Sequence, residues 1–239
     1  MANCPFCKGM VEEHAAVCPS CGQALSEPGP AIFSGVVQPG KYLKDGWELF
    51  KLNPGGFVGF AIVFLIIHGI LSYLPRVGGL ISLAISAPLG AGFYVVSAKL
   101  MQRRSPEFKD FFTGFQFFVP LMLLSVVSSI LIILGFILLI IPGIFLMVCY
   151  LFPSMLVIDR RLDFWPAMEL SRKTVQAQWF GFFVFVLLLV LINLAGAVAL
   201  GIGLLITLPV SACAVAAAYA EVFGLQSDYS GDIPQLKQT

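Results

Sequence analysis

Charge is what this sequence has least of. Between Gly56 and Gly224, ionised side chains occur only at Arg76, from Lys99 to Asp110, from Asp159 to Lys173, and at Glu221. With 11% charged and 59% hydrophobic residues, the chain has no polar shell with which to clothe a water-soluble core. That excludes an ordinary soluble domain and points to an integral membrane protein. Within the apolar runs no Asp, Glu, Lys or Arg stands at mid-depth. This argues against proton pumps and ion-coupled carriers, which hold at least one such group over a cavity. Catalytic partners are also lacking. No nucleophile–base pair, carboxylate pair or second metal constellation can be assembled, so an enzyme is not expected. Nor is a signal peptide seen, because a polar, cysteine-bearing segment precedes the first apolar run near residue 57.

What is present is a set of long apolar runs: Phe57–Leu74, Val77–Leu100, Phe117–Leu134, Gly135–Ile158, Trp179–Ala199 and Leu200–Phe223. Each is long enough, at 1.5 Å per residue, to cross a hydrocarbon layer of about 30 Å. The sequence therefore predicts an all-α membrane domain of six transmembrane helices, over residues 41–224, with both termini on one side. Thirteen of the 14 Lys and Arg then share that side, and only Arg76 faces the other. The positive-inside bias makes it the cytoplasmic side of the cell's inner membrane. The far-side connections predicted at Pro75-Arg76, Leu134-Gly135 and Gly201 are too short to bind a macromolecule.

The polar N-terminal segment, CPFCKGMVEEHAAVCPSC, places Cys4 and Cys7, then Cys18 and Cys21, as two Cys-x2-Cys pairs ten residues apart. Two such pairs let four thiolates converge on one Zn²⁺ as a tetrahedron. Two disulfides are the competing pairing, disfavoured in a reducing cytoplasm, and an iron site is a weaker rival. The segment resembles the short zinc-ribbon module at the N-terminus of many prokaryotic proteins, although Lys8 stands where the first knuckle usually has glycine. Four thiolates leave no open coordination position, so the metal is structural, and so small a module folds only with it. His14 is left out of the ligand set. Lys8, Glu12 and Glu13 are the charged residues among the cysteines, which gives no basic patch for phosphates; nucleic acid is not an expected partner. A cytoplasmic protein docking on the ribbon is.

Residues 26–40, rich in Pro and Gly, read as a linker, and 225–239 as a cytoplasmic tail. After the linker a short amphipathic segment precedes a helical hairpin three times. The first is KYLKDGWELFKL, with Leu43, Trp47 and Phe50 on one stripe. The second is SPEFKDFFTGF, with Ser105 as N-cap, Pro106 at N1, and Phe108, Phe111, Phe112 and Phe115 on one face. In the third, DFWPAMELSRKTVQAQW, the stripe is Phe164, Met168 and Val175. Such stripes suit interfacial helices, with rings at headgroup depth and charges in water. The following spans begin near Phe57, Phe117 and Trp179, a spacing of about 60 residues that raises the possibility of a threefold repeat.

The membrane part resembles a broad group of uncharacterised bacterial and archaeal six-helix proteins. The group includes the YciC-like and DUF975-type families and the membrane domain attached to some glycerophosphodiester phosphodiesterases. The resemblance rests on Ile141-Pro142-Gly143-Ile144, Val157-Ile158-Asp159, Ala167-Met168-Glu169-Leu170-Ser171 and the run Gly203–Pro209. It implies a six-helix fold and no transferable activity, since no phosphodiesterase domain accompanies it here.

Single residues with a possible task are few. His68, two thirds along the first span, is read as bonded to a carbonyl or a neighbouring helix rather than as a proton relay. Asn193 is read as a link between helices. Pro88, Pro142 and Pro209 kink the second helices of the hairpins or unwind them around a substrate. Small residues at Ala195, Ala199, Gly203, Ala212, Ala216 and Ala220 place the last hairpin inside the bundle or at a contact between subunits of a homo-oligomer. Cys149 and Cys213 read as packing residues. Ser125, Ser128 and Ser129 form a polar strip, and Arg103-Arg104 and Arg160-Arg161 anchor spans at the inner leaflet. The expected function is a non-enzymatic membrane scaffold with a zinc-bound docking tab; the alternative is a small carrier, channel or lipid-handling protein regulated by the ribbon.

Overall fold

The computed structural model describes residues 2–3, 10–11, 35–74, 78–199 and 201–226, with only the backbone of residues 2–3, 10–11 and Leu80. Contacts divide the chain into two units, Met1–Ile32 and Phe33–Thr239. In the first, Ala2–Asn3 (β1) pairs antiparallel with Met10–Val11 (β2), Ala2 opposite Val11 and Asn3 opposite Met10.

The second unit is helical among its described residues. Its order is α1 (Pro39–Leu52), α2 (Pro54–Ser72), α3 (Gly78–Met101), a 3-10 helix (Phe108–Phe117), α4 (Phe118–Leu138), α5 (Ile140–Cys149), α6 (Pro153–Arg160), α7 (Phe164–Gln176), α8 (Trp179–Val198) and α9 (Leu204–Phe223). Six stretches are long and apolar enough to cross a membrane: Pro54–Ser72, Ile81–Met101, Phe108–Leu138, Ile140–Arg160, Trp179–Val198 and Leu204–Phe223. Local chemistry sets several starts. Asn53 accepts from the Gly56 N–H at 3.2 Å ahead of Pro54, and the Asp163 carboxylate accepts from the Phe164 N–H at 2.8 Å.

The three hairpins are built alike. In each, the second span is the inner one: 50%, 44% and 50% buried for the second, fourth and sixth stretches, against 17%, 22% and 22% for the first, third and fifth. The outer helices turn large apolar side chains such as Ile66, Ile133, Phe180 and Leu194 outward. In water such a surface would be a large exposed patch; in lipid it is the expected one. Inside, Phe57, Phe60, Phe93 and Phe111 interlock, with Phe60 stacked on Phe111 at 4.6 Å and edge-on to Phe93 at 4.9 Å. Around Phe152 the rings of Phe182, Tyr219 and Phe223 do the same.

Several predicted details move. The middle hairpin turns at Leu139, which is extended (φ −163°, ψ 148°), not at Leu134-Gly135. Gly135 instead lies against Gly143, where an added Cβ would stand 2.9 Å from the Gly143 Cα. Pro142 falls in the first turn of α5, where its missing N–H costs nothing. The fourth span breaks further on, at Tyr150–Phe152, just ahead of Pro153. Pro88 and Pro209 lie within continuous helices. The second amphipathic segment begins at Phe108 with Glu107 as N-cap, not Ser105. Its phenylalanines divide, Phe111 fully buried and Phe108, Phe112 and Phe115 exposed. On α1 the buried face is Tyr42, Gly46, Leu49 and Phe50, and Trp47 points outward. In α7, Met168 and Val175 are buried as predicted, together with Ala167, Leu170, Ser171 and Thr174.

Candidate functional site

The described charges gather at one end of the bundle, where α1 and α7 pack against the hairpins, and most are spent on ties between elements. In the last turn of α3, the Lys99 ammonium meets the Asp110 carboxylate at 2.8 Å with both side chains largely buried; the other Asp110 oxygen accepts from the Glu107 N–H at 2.8 Å. At the end of α6, buried Asp159 accepts from the Tyr219 hydroxyl at 2.9 Å and from the Gln226 N–H at 3.2 Å. Next to it, Arg160 donates to the Phe223 carbonyl at 2.8 Å and lies over the Phe223 ring at 5.6 Å. A cation on the last carbonyl of α9 also suits the negative end of that helix dipole.

Glu221 of α9 clasps α1. It pairs with Lys41 and accepts from the Tyr42 hydroxyl at 3.3 Å. The Glu221 carboxylate raises the Lys41 pKa, while burial, then the same carboxylate, pushes Tyr42 up to about 12. On α7, Arg172 holds Glu169 through two bonds of 2.9 and 2.8 Å, and this guanidinium lowers the Glu169 pKa. Sequence reading missed the ties between elements, because their partners are 11 to 180 residues apart and none forms a motif.

The break in the fourth span is closed from α7. Ser171 Oγ donates to the Cys149 carbonyl at 2.7 Å and accepts from the Phe152 N–H at 3.3 Å. One hydroxyl thus replaces helix bonds on both sides of the interruption, as buried backbone groups require.

Polar groups deeper in the spans also bond to protein. His68 Nδ1 lies 2.7 Å from Ser82 Oγ, joining α2 to α3, with its ring against Phe64. Asn193 Nδ2 donates to the Leu189 carbonyl at 2.8 Å and to Ser211 Oγ at 2.7 Å, joining α8 to α9. Ser97 donates to the Phe93 carbonyl, Ser128 to the Leu124 carbonyl. Cys149 and Cys213 are buried free thiols. Close approach in the last hairpin runs through Gly196 against Gly203, with Ala195 and Ala199 exposed. α9 is also closely approached at Ala214, over which Gly46 of α1 passes.

Crevices open among the described residues. One, of about 430 Å³, lies between α1 and α9, lined by Leu49, Leu52, Met101 and Ala217 with Asp45 and Glu48. Another, about 210 Å³, lies among α2, α3 and α9 and is lined by Phe64, Phe93, Tyr94, Leu208 and Ser211. No cluster of three or more His, Cys, Asp or Glu able to hold a metal occurs among the described residues; Cys4, Cys7, Cys18 and Cys21 lie outside them. No protein-family model, curated protein or solved structure matches this chain. The fold and the charged end define a class, the multi-pass helical membrane protein with six helices able to span a bilayer.

Proposed function

We propose that this protein is a non-enzymatic scaffold of the inner membrane, with both termini in the cytoplasm and a zinc ribbon that docks a cytoplasmic protein. The observation that carries the scaffold reading is the filled interior. Interlocked rings occupy the space between hairpins, and His68 Nδ1, Asn193 Nδ2 and Ser97 Oγ each bond to neighbouring groups of the bundle. A body so packed is rigid and suits a platform better than a moving carrier. Orientation rests on the cationic residues Lys41, Lys99, Arg103, Arg104, Arg160 and Arg161 at the ends joined by α1 and α7.

Cys4, Cys7, Cys18 and Cys21 would hold the Zn²⁺, which would supply the folding energy of the ribbon and no reaction. The β1–β2 pairing supports this, since the connection between those strands carries Cys4 and Cys7. The resemblance to YciC-like and DUF975-type proteins stays part of the proposal. A second reading, a carrier or lipid-handling protein, is favoured by the 210 Å³ crevice and by the partnerless Asn193 Oδ1 and Thr207 Oγ1 among the buried atoms of α8 and α9.

Metal analysis and co-purification in mild detergent test the first reading. The full chain is expected to carry one zinc and a specific partner. Cys4→Ser with Cys18→Ser is expected to lose both while still entering the membrane. Undiminished zinc, or an unchanged partner set, would count against it.

A further inference from the structure

Among the described residues, two other than glycine hold a positive φ, and both are arginines: Arg103 at 58° and Arg161 at 52°. Each ends the second span of a hairpin. Past α3, the Arg104 N–H donates to the Lys99 carbonyl at 2.9 Å and the Arg103 N–H to the Leu100 carbonyl at 3.0 Å. These are the paired bonds of a Schellman closure, with Arg103 in its left-handed position. Arg161 is the C-cap of α6. The inner helix of the third hairpin also ends on a positive φ, but on Gly224, at φ 71° and an extended ψ of 149°. Glycine is the residue that such a position favours, because a Cβ crowds the neighbouring carbonyl. The third hairpin uses it; the first two carry a long cation there.

Among the described residues, neither guanidinium has a protein partner. Both residues are exposed, and neither has an ion pair or side-chain hydrogen bond with another described residue. The nearby acids are engaged elsewhere: Glu107 with Lys109 at 2.8 Å, Asp110 with Lys99, and Asp163 on the first turn of α7. α3 and α6 pack against one another and belong to the second spans of successive hairpins, which run in the same direction, so the two arginines stand at the same end of the bundle. Exposed rings mark the depth there, since Phe108 and Phe112 follow Arg103 and Trp165 follows Arg161. Aromatic side chains of this kind sit at headgroup level in membrane proteins.

We propose that Arg103 and Arg161 form a docking surface for anionic phospholipids, each guanidinium engaging headgroup phosphate. The proposal rests on the six-span reading, which sets this end in a headgroup layer. A planar guanidinium presents parallel N–H donors to phosphate, which an ammonium does not. Lipid is the occupant because the flanking rings hold the cations in the layer where lipid phosphates are concentrated.

The test uses the full-length protein in nanodiscs of phosphatidylcholine, of phosphatidylcholine with phosphatidylglycerol, and of phosphatidylcholine with added inorganic phosphate. Thermal unfolding is followed in each, and native mass spectrometry counts retained phosphatidylglycerol. The wild type is expected to melt several degrees higher with phosphatidylglycerol. The double variant R103G/R161G, whose glycines fit the left-handed backbone, is expected to melt at or above the wild type in phosphatidylcholine and to lose most of that gain and of the retained lipid. R103K/R161K keeps the charge and is expected to keep an intermediate gain. An equal phosphatidylglycerol gain in the wild type and the glycine variant overturns the proposal. So does a wild-type gain that inorganic phosphate reproduces, and so does a glycine variant that melts lower in phosphatidylcholine. Failure of the six-span reading would show separately, as a wild type that enters neither kind of nanodisc.

Discussion

Gly46 lacks a side chain where α1 crosses α9, and the backbone of Ala214 uses that space. A Cβ at position 46 would stand 2.6 Å from the Ala214 nitrogen, closer than atoms pack. Gly46→Leu must therefore push the helices apart, at a cost of about 1–3 kcal/mol, read as a lowered midpoint of unfolding in detergent. Gly92 meets the Phe111 carbonyl in the same way, at 1.9 Å for an added Cβ, so the 3-10 helix is docked on α3 by a similar absence. Ser171 is the opposite case, one polar atom with two tasks. Ser171→Ala strands the Cys149 carbonyl and the Phe152 N–H together, and the expected loss is about 1–3 kcal/mol for a buried group left unpaired. Hydrogen exchange localised to residues 150–156 should rise first. Uniform exchange across α5, α6 and α7 would contradict that assignment.

Among the elements, α1 is held to α9 by groups that titrate in the alkaline range. Lys41 and Tyr42 both have pKa values raised by folding, Tyr42 to about 12 from an ordinary 10.0. The stabilisation is fully present below the unfolded pKa and is lost as pH climbs through the folded one. The clasp is therefore expected to loosen between about pH 10 and pH 12, seen as a change in Trp47 fluorescence before the inner helices yield. Tyr42→Phe should remove the tyrosine part of that pH dependence and leave the lysine part.

How far the elements were legible follows from the physics of each signal. The apolar runs announced six spans because mean composition over about 20 residues decides whether a helix dissolves in lipid. The turn at Leu139 was not legible. The run from Gly135 to Ile141 is apolar throughout but for its glycine, and that glycine serves a close helix contact, not a turn. Pro142 looked like the break in the fourth span and Pro153 did not. A proline disturbs only where its partner carbonyl lies inside the helix, and the repair at Tyr150–Phe152 comes from Ser171, which lies about 20 residues downstream along the chain. The α1 stripe was read one residue off, because Gly46 gives no hydrophobic signal although it marks the buried face. The ties at the charged end join residues far apart in sequence, so Asp159, Glu221 and Asp110 read only as scattered acids.

At the scale of the whole molecule, three hairpins each contribute one outer and one inner span, and the burial contrast recurs in all three. This recurrence accompanies the spacing of about 60 residues between the starts of the hairpins. The inner helix of each hairpin carries one member of a tie at the charged end, Lys99, Asp159 and Glu221. The charged end is thus both the part that locks the bundle and the part proposed to face the cytoplasm.

That placement is open to direct measurement with short epitope tags, one ahead of Met1, one after Thr239, one at Arg76 and one at Gly201, probed by antibody in spheroplasts before and after permeabilisation. The terminal tags should be reached only after permeabilisation, and those at Arg76 and Gly201 before it. Terminal tags that fall on opposite faces, or that are both reached in sealed spheroplasts, would contradict six spans with a cytoplasmic charged end.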